Sequence, residues 1–330
     1  MILRLLGFVC AVAFATGAGA KASHSQYDFV VAKDGSGNFR SVQAAINACP
    51  AFPSRTITIF IKNGVYHEKV TVPSCNTHLT LIGESVEKTI ITYNDYAGKM
   101  KRGRNSTFYT YTFLVQANDF RAEKITFRNS AGAVGQAVAL HVEGDRAVFV
   151  NCRILGNQDT LYLTGEYSRD YFVKCYISGT TDFIFGSATA LFDNCDIHSK
   201  ANSYITAAST PKDKDFGFVF RYCKLTADKN VKKAYLGRPW RDFARVAFIH
   251  CIMGKHIVAA GWANWANTER YKTAFFAEYE NVGAGATVQN RASWSRQLTD
   301  DEVESYSLET ILAPVIFPDD DPPEWTGIDK

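Results

Sequence analysis

The chain has 330 residues and a formal net charge of only +3, which is too small to indicate a nucleic-acid-binding protein. Hydrophobic residues make up 46% and charged residues 21% of the chain, the balance of a soluble globular protein. The 16 tyrosines and 23 phenylalanines are many, and rings in such numbers suit strand-rich cores and sugar-binding surfaces.

Residues 1–20 have the order of a secretory signal peptide. Arg4 precedes an apolar run over residues 5–15, and small residues fill positions 18–20, as they do before a signal cleavage site. The apolar run is shorter than the ~20 residues that span a bilayer, and no later segment is long and apolar enough. We expect a secreted, extracellular protein that is not bound to a membrane, in which residues 21–330 form a single domain.

Export permits disulfides and glycosylation. Cys10 leaves with the signal, and seven cysteines remain, so at least one thiol stays unpaired in a monomer. Asn105 begins the only Asn-x-Ser/Thr sequence of the chain and is the candidate glycosylation site.

Short strands dominate the first third of the chain. Residues 41–47 have helical spacing and predict a short helix over one end of the fold, whereas residues 56–62 alternate polar and apolar side chains as a half-buried strand does. Residues 66–72, 79–82, 90–92 and 108–115 predict further strands. No helical periodicity is evident among them.

A repeat then predicts the architecture. Phenylalanine stands three residues before cysteine in five segments, and Phe127-Arg-Asn-Ser130 fits as a sixth member with serine for cysteine. The five are Phe149-Val-Asn-Cys152, Phe172-Val-Lys-Cys175, Phe192-Asp-Asn-Cys195, Phe220-Arg-Tyr-Cys223 and Phe248-Ile-His-Cys251. Units of this size, made of strands and turns, bury their apolar faces by stacking. We therefore predict an all-β parallel β-helix.

The cysteines of the repeat have two readings. Equivalent residues on stacked coils lie about 4.8 Å apart, which is close enough for disulfides. Buried free cysteines also behave as small hydrophobic residues. We favour a buried ladder for most of them; the sequence does not determine whether any pair is bonded.

After Gly261 the repeat ends and an irregular region follows. Residues 299–302 have a capping-box sequence and predict a helix that continues to Ile311, before Pro314. A helical tail along the solenoid fits this pattern.

Two carboxylates occupy the same position on neighbouring coils. Asp159 follows Cys152 by seven residues, and Asp182 follows Cys175 by seven, so we expect them to lie side by side. Two carboxylates that close do not ionise equally; one becomes an acid and the other a nucleophile or base. Gln158 precedes Asp159. On the preceding coil, Gln136 follows Ser130 by six residues, one position short of the place that the aspartates occupy. Neutral amide donors beside a carboxylate pair suit an oxyanion hole for acyl transfer.

Five segments together resemble the pectin methylesterase (pectinesterase) family, in its plant-type branch without the inhibitory pro-region. They are Gly-Val-Tyr-His-Glu at 64–68, Gly-Gln-Ala-Val-Ala-Leu at 135–140, Gly-Asn-Gln-Asp-Thr-Leu-Tyr at 156–162, Asp-Phe-Ile-Phe-Gly at 182–186 and Leu-Gly-Arg-Pro-Trp at 236–240. All five stand in family order, and the similarity runs from about Asp28 to the tail. The resemblance implies a right-handed β-helix and hydrolysis of the methyl esters of homogalacturonan.

The resemblance also implies roles for residues. Asp182 would be the nucleophile, Asp159 the general acid and base, and Gln136 and Gln158 the oxyanion hole, while Arg238 would orient Asp182 and keep it ionised. We further expect the rings of Trp240, Phe185 and Tyr162 to stack on sugar, although each could equally belong to the core. Consecutive strand residues point to opposite faces, so Gln158 and Asp159 can share a site only if the backbone bends there.

Other chemistries are less well supported by the sequence. No Gly-x-Ser-x-Gly motif occurs, and the seven histidines show no metal-site spacing, so neither a metal nor an organic cofactor is implied. A β-helical glycosidase could use the aspartate pair, but its chemistry does not need the two glutamines. A sugar-binding solenoid without catalysis is a third hypothesis. We expect a monomer that acts on methylated homogalacturonan and is a potential target of a proteinaceous inhibitor.

Overall fold

Three parallel sheets form the body of the protein. A computed structural model describes residues 26–165, 167–314 and 323–327, and the signal predicted over residues 1–20 lies outside them. Within the described residues the sheets contain 11, 8 and 7 strands, here named sheets A, B and C. Every strand pairing in them is parallel, so the architecture is a parallel β-helix, as predicted.

Sheet A contains β1 (Phe29–Val31), β2 (Ile57–Ile61), β5 (Leu79–Gly83), β8 (Arg121–Glu123), β11 (Ala147–Val150), β14 (Arg169–Val173), β17 (Thr189–Asp193), β20 (Phe218–Arg221), β23 (Arg245–Ile249), β25 (Phe275–Tyr279) and β26 (Arg296–Gln297). Sheet B contains β3 (Gly64–His67), β6 (Thr89–Tyr93), β9 (Thr126–Asn129), β12 (Arg153–Leu155), β15 (Tyr176–Gly179), β18 (Asp196–Ser199), β21 (Lys224–Ala227) and β24 (Ile252–Met253). Sheet C contains β4 (Val70–Val72), β7 (Phe113–Val115), β10 (Leu140–Val142), β13 (Leu161–Leu163), β16 (Ile184–Gly186), β19 (Tyr204–Ala208) and β22 (Tyr235–Gly237).

The Phe-x-x-Cys repeat sets the register of the coils. Phe149, Phe172, Phe192, Phe220 and Phe248 pair in succession along sheet A. Their buried rings stack nearly parallel, with centroids 4.4–5.0 Å apart. Each ring therefore packs against the same ring of the next coil, and the repeat interval is one turn of the helix, as predicted.

The sixth member predicted for this repeat is wrong. Phe127 lies on β9 in sheet B, where it pairs with Ile154, and the residue beside Phe149 on sheet A is Ala122. The amide of Arg153, next to Cys152, donates to the carbonyl of Ile125. Ile125 therefore takes the cysteine position on that coil, because any compact apolar side chain fills it.

The cysteines form a buried ladder rather than disulfides. Cys152, Cys175, Cys195, Cys223 and Cys251 are buried, and every cysteine of the described residues is a free thiol. The Cys175 Sγ, for example, donates to the carbonyl of Phe149 on the preceding coil, at 3.3 Å. These side chains act as small apolar groups with weak donors, which confirms the reading favoured from sequence.

A short helix closes the N-terminal end, as predicted. Helix α1 (Val42–Asn47) begins after Ser41, whose side chain accepts from the amide of Ala44. The carboxylate of Glu68 accepts from the amides of Val42 and Gln43, both at 3.0 Å, and so satisfies first-turn donors that an isolated helix leaves open. Val42, Ala45 and Ile46 belong to the core.

One predicted strand is partly helical. Residues 108–115 were expected to be extended, but a 3₁₀ helix (Gly103–Tyr109) follows helix α2 (Ala97–Met100), and the strand contains only Phe113–Val115. The Ser106 hydroxyl accepts from the amide of Arg102 at 2.9 Å, and the Thr110 hydroxyl donates to Thr107. These local side-chain bonds compete with the strand ladder.

The C-terminal segment lies on the outer face of sheet A. Helices α3 (Asp300–Glu304) and α4 (Leu308–Ile311) replace the single helix predicted, because Ser307 caps a second helix; the predicted capping box of Thr299 and Glu302 is present. Shorter 3₁₀ helices span Arg270–Lys272 and Pro323–Thr326. Tyr306, Ile311 and Leu312 cover apolar residues of sheet A, so the tail packs along the solenoid. Among the described residues, no helix has the length and apolarity to cross a membrane.

Candidate active site

The two aspartates take equivalent positions on neighbouring coils. Leu161 pairs with Ile184, so Asp159 and Asp182, each two residues earlier, occupy one station. The amide of Asp159 donates to the carbonyl of Thr181 at 3.1 Å. Both aspartates are buried, with exposed fractions of 9% and 6%. The predicted juxtaposition is confirmed.

The backbone bends where the sequence required it. Asp159 and Asp182 have φ values of 60° and 49°, in the left-handed region that Asp and Asn tolerate better than most residues. At this bend Gln158 and Asp159 escape the alternation of a regular strand. Both side chains line one cleft of about 380 Å³.

The two glutamines face each other across neighbouring coils. Gln136 forms a parallel bridge with Gln158, and both line the cleft. The amides of Ala139 and Leu140 both donate to the carbonyl of Thr160, so the earlier coil holds one extra residue before Leu140, and Gln136 lies opposite Gln158 rather than Asn157. Neither glutamine side chain bonds to another described residue, which leaves their NH₂ groups available to a ligand.

Arg238 binds Asp182 through two hydrogen bonds. Its Nε donates to Oδ1 at 2.9 Å and its Nη2 to Oδ2 at 2.6 Å, the bidentate geometry of a strong charge-assisted pair. The guanidinium lies between the rings of Tyr204 and Trp265, 4.0 and 4.1 Å from their centroids. Its rotamer is therefore fixed, and so is the carboxylate that it holds.

Gly237 allows Arg238 to come this close to the strand before it. A Cβ at Gly237 would lie 2.0 Å from the Thr206 hydroxyl, and the Arg238 amide donates to the carbonyl of Thr206 at 3.0 Å. A larger residue at position 237 would displace the arginine from sheet C.

Burial makes both carboxylates resist ionisation, but unequally. Burial and the neighbouring Asp182 charge raise the pKa of Asp159 well above its ordinary value. Burial also raises the pKa of Asp182, against the opposing effect of Arg238. The prediction that Arg238 favours the ionised form is therefore correct in direction, but it does not outweigh burial. Asp159, which accepts no hydrogen bond from a described side chain, holds its proton more tightly.

Two of the three predicted aromatic contacts line the cleft. Phe185 and Trp240 do so, with ring centroids 5.8 Å apart. Tyr162 does not; it stacks on Phe185 at 4.6 Å and packs against Phe108. Phe185 is only 4% exposed, so Trp240 offers the larger surface to a sugar. Trp262 belongs to the core, where its indole N–H donates to the Glu278 carboxylate.

In the described residues, no group of three or more histidines, cysteines or carboxylates is placed to hold a metal. His141 is buried between Tyr111 and Tyr162, and burial lowers its pKa to about 3. It is a neutral structural residue.

The family model for pectinesterase matches residues 28–314. The chain therefore belongs to the pectinesterase family, a family of carboxylic ester hydrolases. It is 40% identical to pectinesterase 31 of Arabidopsis thaliana over 292 residues, 86% of this chain and 92% of that protein. It is also 40% identical to the probable pectinesterase/pectinesterase inhibitor 58 of that plant, over 85% of this chain and 50% of that protein. The chain thus spans about half the length of that second type of relative.

Solved structures of pectin methylesterases have the same fold. The enzyme from carrot is 32% identical and superposes with a TM-score of 0.82, over 88% of this chain and 95% of that one. A pectin methylesterase in complex with a hexasaccharide is 32% identical with a TM-score of 0.76, over 87% and 97% of the two chains. The right-handed parallel β-helix expected from sequence is thereby confirmed.

Several residues of this pectinesterase's cleft were not found from sequence. Trp265 and Tyr204 enclose Arg238, and Trp265, Arg104, Thr107 and Phe108 line the cleft. The four lining residues come from segments outside the repeat, where no register relates them to the aspartates, whereas Tyr204 lies on β19 and its carbonyl accepts from the Asp182 amide. The only available signal for Trp265 was its place among the tryptophans that follow the end of the repeat.

Proposed function

We propose that the protein is a secreted pectin methylesterase that hydrolyses the C6 methyl esters of homogalacturonan to methanol and carboxylate. The observation that supports this most strongly is that two adjacent buried aspartates have different surroundings. Asp182 is fixed by two bonds from Arg238, whereas Asp159 lies beside it with a raised pKa. One group is positioned as a nucleophile, and the other carries a proton at the start of the cycle.

In the first half-reaction, a carboxylate oxygen of Asp182 attacks the C6 carbonyl carbon, and the carbonyl oxygen becomes an oxyanion. The amide NH₂ groups of Gln136 and Gln158, which line the cleft, donate to that oxyanion. Asp159 gives its proton to the methoxy oxygen, the C6–O bond breaks, and methanol leaves. An acyl-enzyme anhydride between Asp182 and the galacturonate remains.

In the second half-reaction, ionised Asp159 takes a proton from water as the water oxygen attacks C6. The bond to Asp182 breaks, the galacturonic acid is released and later loses its proton to solvent, and Asp159 is again protonated. Because the cycle starts with protonated Asp159, activity should fall as pH rises through the raised pKa of that residue.

The decisive assay measures methanol and new reducing ends from highly methylated pectin in one reaction. An esterase releases methanol without shortening the polymer. New reducing ends without methanol would instead identify a glycosidase, and neither product would favour a sugar-binding solenoid.

The setting of this activity is also part of the proposal. We infer export, cleavage after residue 20, action as a monomer and binding by a proteinaceous inhibitor. We also infer glycosylation at Asn105, which is exposed two residues before the cleft residue Thr107. N-terminal sequencing of the exported protein tests export and the cleavage site. Light scattering tests whether the protein is a monomer, and the mass before and after deglycosylation tests for the glycan.

A further inference from the structure

A second groove lies on the outer face of sheet B, on the other side of the turn that carries Gln158 and Asp159. Its volume is about 370 Å³, close to that of the catalytic cleft. Its lining crosses neighbouring coils, from Arg128 on β9 and Arg153 on β12 to Tyr176 on β15 and His198 on β18. Since coils are spaced about 4.8 Å apart, the groove has room for an extended ligand.

The groove carries positive charge that the protein does not neutralise. Arg128 and Arg153 are permanent cations, Lys200 is a third basic group whose pKa is lowered by burial, and the only carboxylate in the lining is that of Asp228. That carboxylate lies 3.0 Å from the His198 imidazole. Within the described residues, neither guanidinium forms an ion pair. An anionic ligand would therefore meet unpaired arginines.

Donors remain available on all three cations. Arg128 uses its Nε on the Thr92 hydroxyl, at 3.1 Å, which leaves its terminal nitrogens. The Arg153 guanidinium makes no hydrogen bond with a described residue. Lys200 donates to the Gly156 carbonyl at 2.7 Å and to Asn157 Oδ1 at 2.9 Å, two of the three bonds that an ammonium can make.

Rings lie beside these charges. The Arg153 guanidinium is 5.3 Å from the Tyr176 ring centroid, and the Tyr176 and His198 rings stack with centroids 5.8 Å apart. All three side chains are partly exposed. A planar ring beside a guanidinium suits a ligand with both a sugar face and a carboxylate, since arginine binds carboxylates in a bidentate manner.

We propose that this groove is a second binding site for carboxylate-bearing galacturonan, the chemical class of the product, separate from the catalytic cleft. This inference rests on the proposed function for the identity of the sugar. Methylated galacturonan lacks the negative charge, so the groove selects de-esterified stretches. The groove and the cleft share the turn Gly156 to Asp159, which Lys200 ties to sheet B, so product would be held next to the site that makes it.

The test counts binding sites per chain. Equilibrium dialysis with unmethylated trigalacturonate compares three proteins in an Asp182→Asn background, which removes turnover: the parent, Arg128→Gln/Arg153→Gln, and Lys224→Gln. Lys224 is an exposed cation of sheet B outside the groove, and its variant is the matched control for lost charge. We expect the double variant to bind one trigalacturonate fewer than the parent and the control.

Fully methylated trigalacturonate, which carries no charge, is the control ligand. We expect the double variant and the parent to bind it equally. Equal numbers of trigalacturonate sites in the double variant and the parent would overturn the inference. If the double variant does not fold, the single variants replace it, and each should weaken binding in the groove about tenfold; unchanged affinity in both would overturn the inference.

The proposed function is tested separately by the wild-type methanol assay. With Asp182 intact, Arg128→Gln/Arg153→Gln should release methanol from a short methylated oligosaccharide at the wild-type rate. If the wild type releases methanol but dialysis finds no second site, only the inference about the groove is refuted. If the wild type releases no methanol, the proposed esterase function is refuted.

Discussion

Two kinds of turn in the solenoid use the same backbone conformation for different purposes. The turn from sheet A to sheet B has a residue of positive φ on successive coils, among them Asn151, Lys174, Asn194 and Tyr222. The turn from sheet B to sheet C has positive φ at Asp159 and Asp182. In the first turn the side chains differ in type, and Asn151 and Tyr222 are exposed; in the second, both are buried aspartates that line a cleft.

This difference shows how the solenoid acquires a site. The left-handed bend is first a way to turn the chain, and it costs a non-glycine residue about 1 kcal/mol or more. When two such bends lie on adjacent coils and face inward to a cleft, the same geometry brings two carboxylates together. Arg238 then makes them unequal.

The largest expected difference between the two turns is in the effect of a substitution on the reaction rate. Replacing Asp182 with Asn keeps a residue that accepts left-handed φ but removes the proposed nucleophile, so we expect methanol release to fall at least about 10⁴-fold while pectin is still bound. The matched change in the other turn, Asn151→Asp, should leave the rate unchanged. Undiminished turnover by the Asp182 variant would refute the nucleophile assignment.

The coils beneath both turns are held by the phenylalanine ladder, so the next effect is on stability. Phe192 stacks on Phe172 and Phe220, with centroids 5.0 and 4.4 Å away, and it is fully buried. Phe192→Ala should lower the free energy of unfolding by about 3–5 kcal/mol, measured by denaturant titration. Phe192→Leu, which keeps most of the volume, should cost less; equal losses would contradict a packing origin.

The sequence predicted what depends on the repeat and missed what does not. Phenylalanines and cysteines at one interval revealed the coil, and the coil placed Asp159 beside Asp182. The match of Phe127 to the repeat was false because a Phe-x-x-Ser segment can lie on sheet B as well as on sheet A, and pattern alone does not distinguish them. Gln136 was nevertheless placed correctly, because Ser130 stands five residues after the true cysteine position, Ile125, and the segment from that position to the glutamine is also five residues longer on this coil than on the next.

Most of the residues that the sequence analysis missed lie outside the sheets, Tyr204 on β19 being the exception. Trp265 and Phe108 reach the cleft from loops and from a 3₁₀ helix, whose paths depend on local side-chain bonds such as that of Ser106. The resemblance implied that Asp159 would hold its proton more tightly than Asp182, but the raised pKa of Asp182 could not be predicted, because burial of each carboxylate follows from how the whole cleft closes.

Loss of a proposed oxyanion donor should lower the rate less than loss of the proposed nucleophile. Gln158→Ala removes one of two amide groups facing the cleft, and we expect the methanol-release kcat to fall about 10²–10³-fold with little change in pectin binding. Gln116→Ala is the control, because Gln116 is an exposed glutamine whose amide bonds Glu143 outside the cleft. A variant that changed only KM would indicate a binding role instead.

Asp159 should reveal itself through the pH dependence of stability. Its folded pKa is raised above the ordinary value of 3.8, so between the unfolded and folded pKa values the folded state binds more protons, and stability falls as pH rises. In Asp159→Asn this loss is absent. The melting temperature of the wild type should therefore match that of the variant at acid pH and drop below it as pH increases past 3.8. A difference that does not change with pH would mean that Asp159 titrates normally.

The smallest effect belongs to the turn without chemistry. Asn151 has a φ of 49° and an exposed side chain, so Asn151→Ala should cost about 1 kcal/mol of unfolding free energy, and Asn151→Gly should cost less or stabilise, because glycine adopts this φ without strain. Urea titration measures both, and methanol release should be unchanged in each. If either variant lost activity, the two turns would be coupled through the coil, since the A-to-B turn would then influence the position of Asp159 seven residues beyond Cys152.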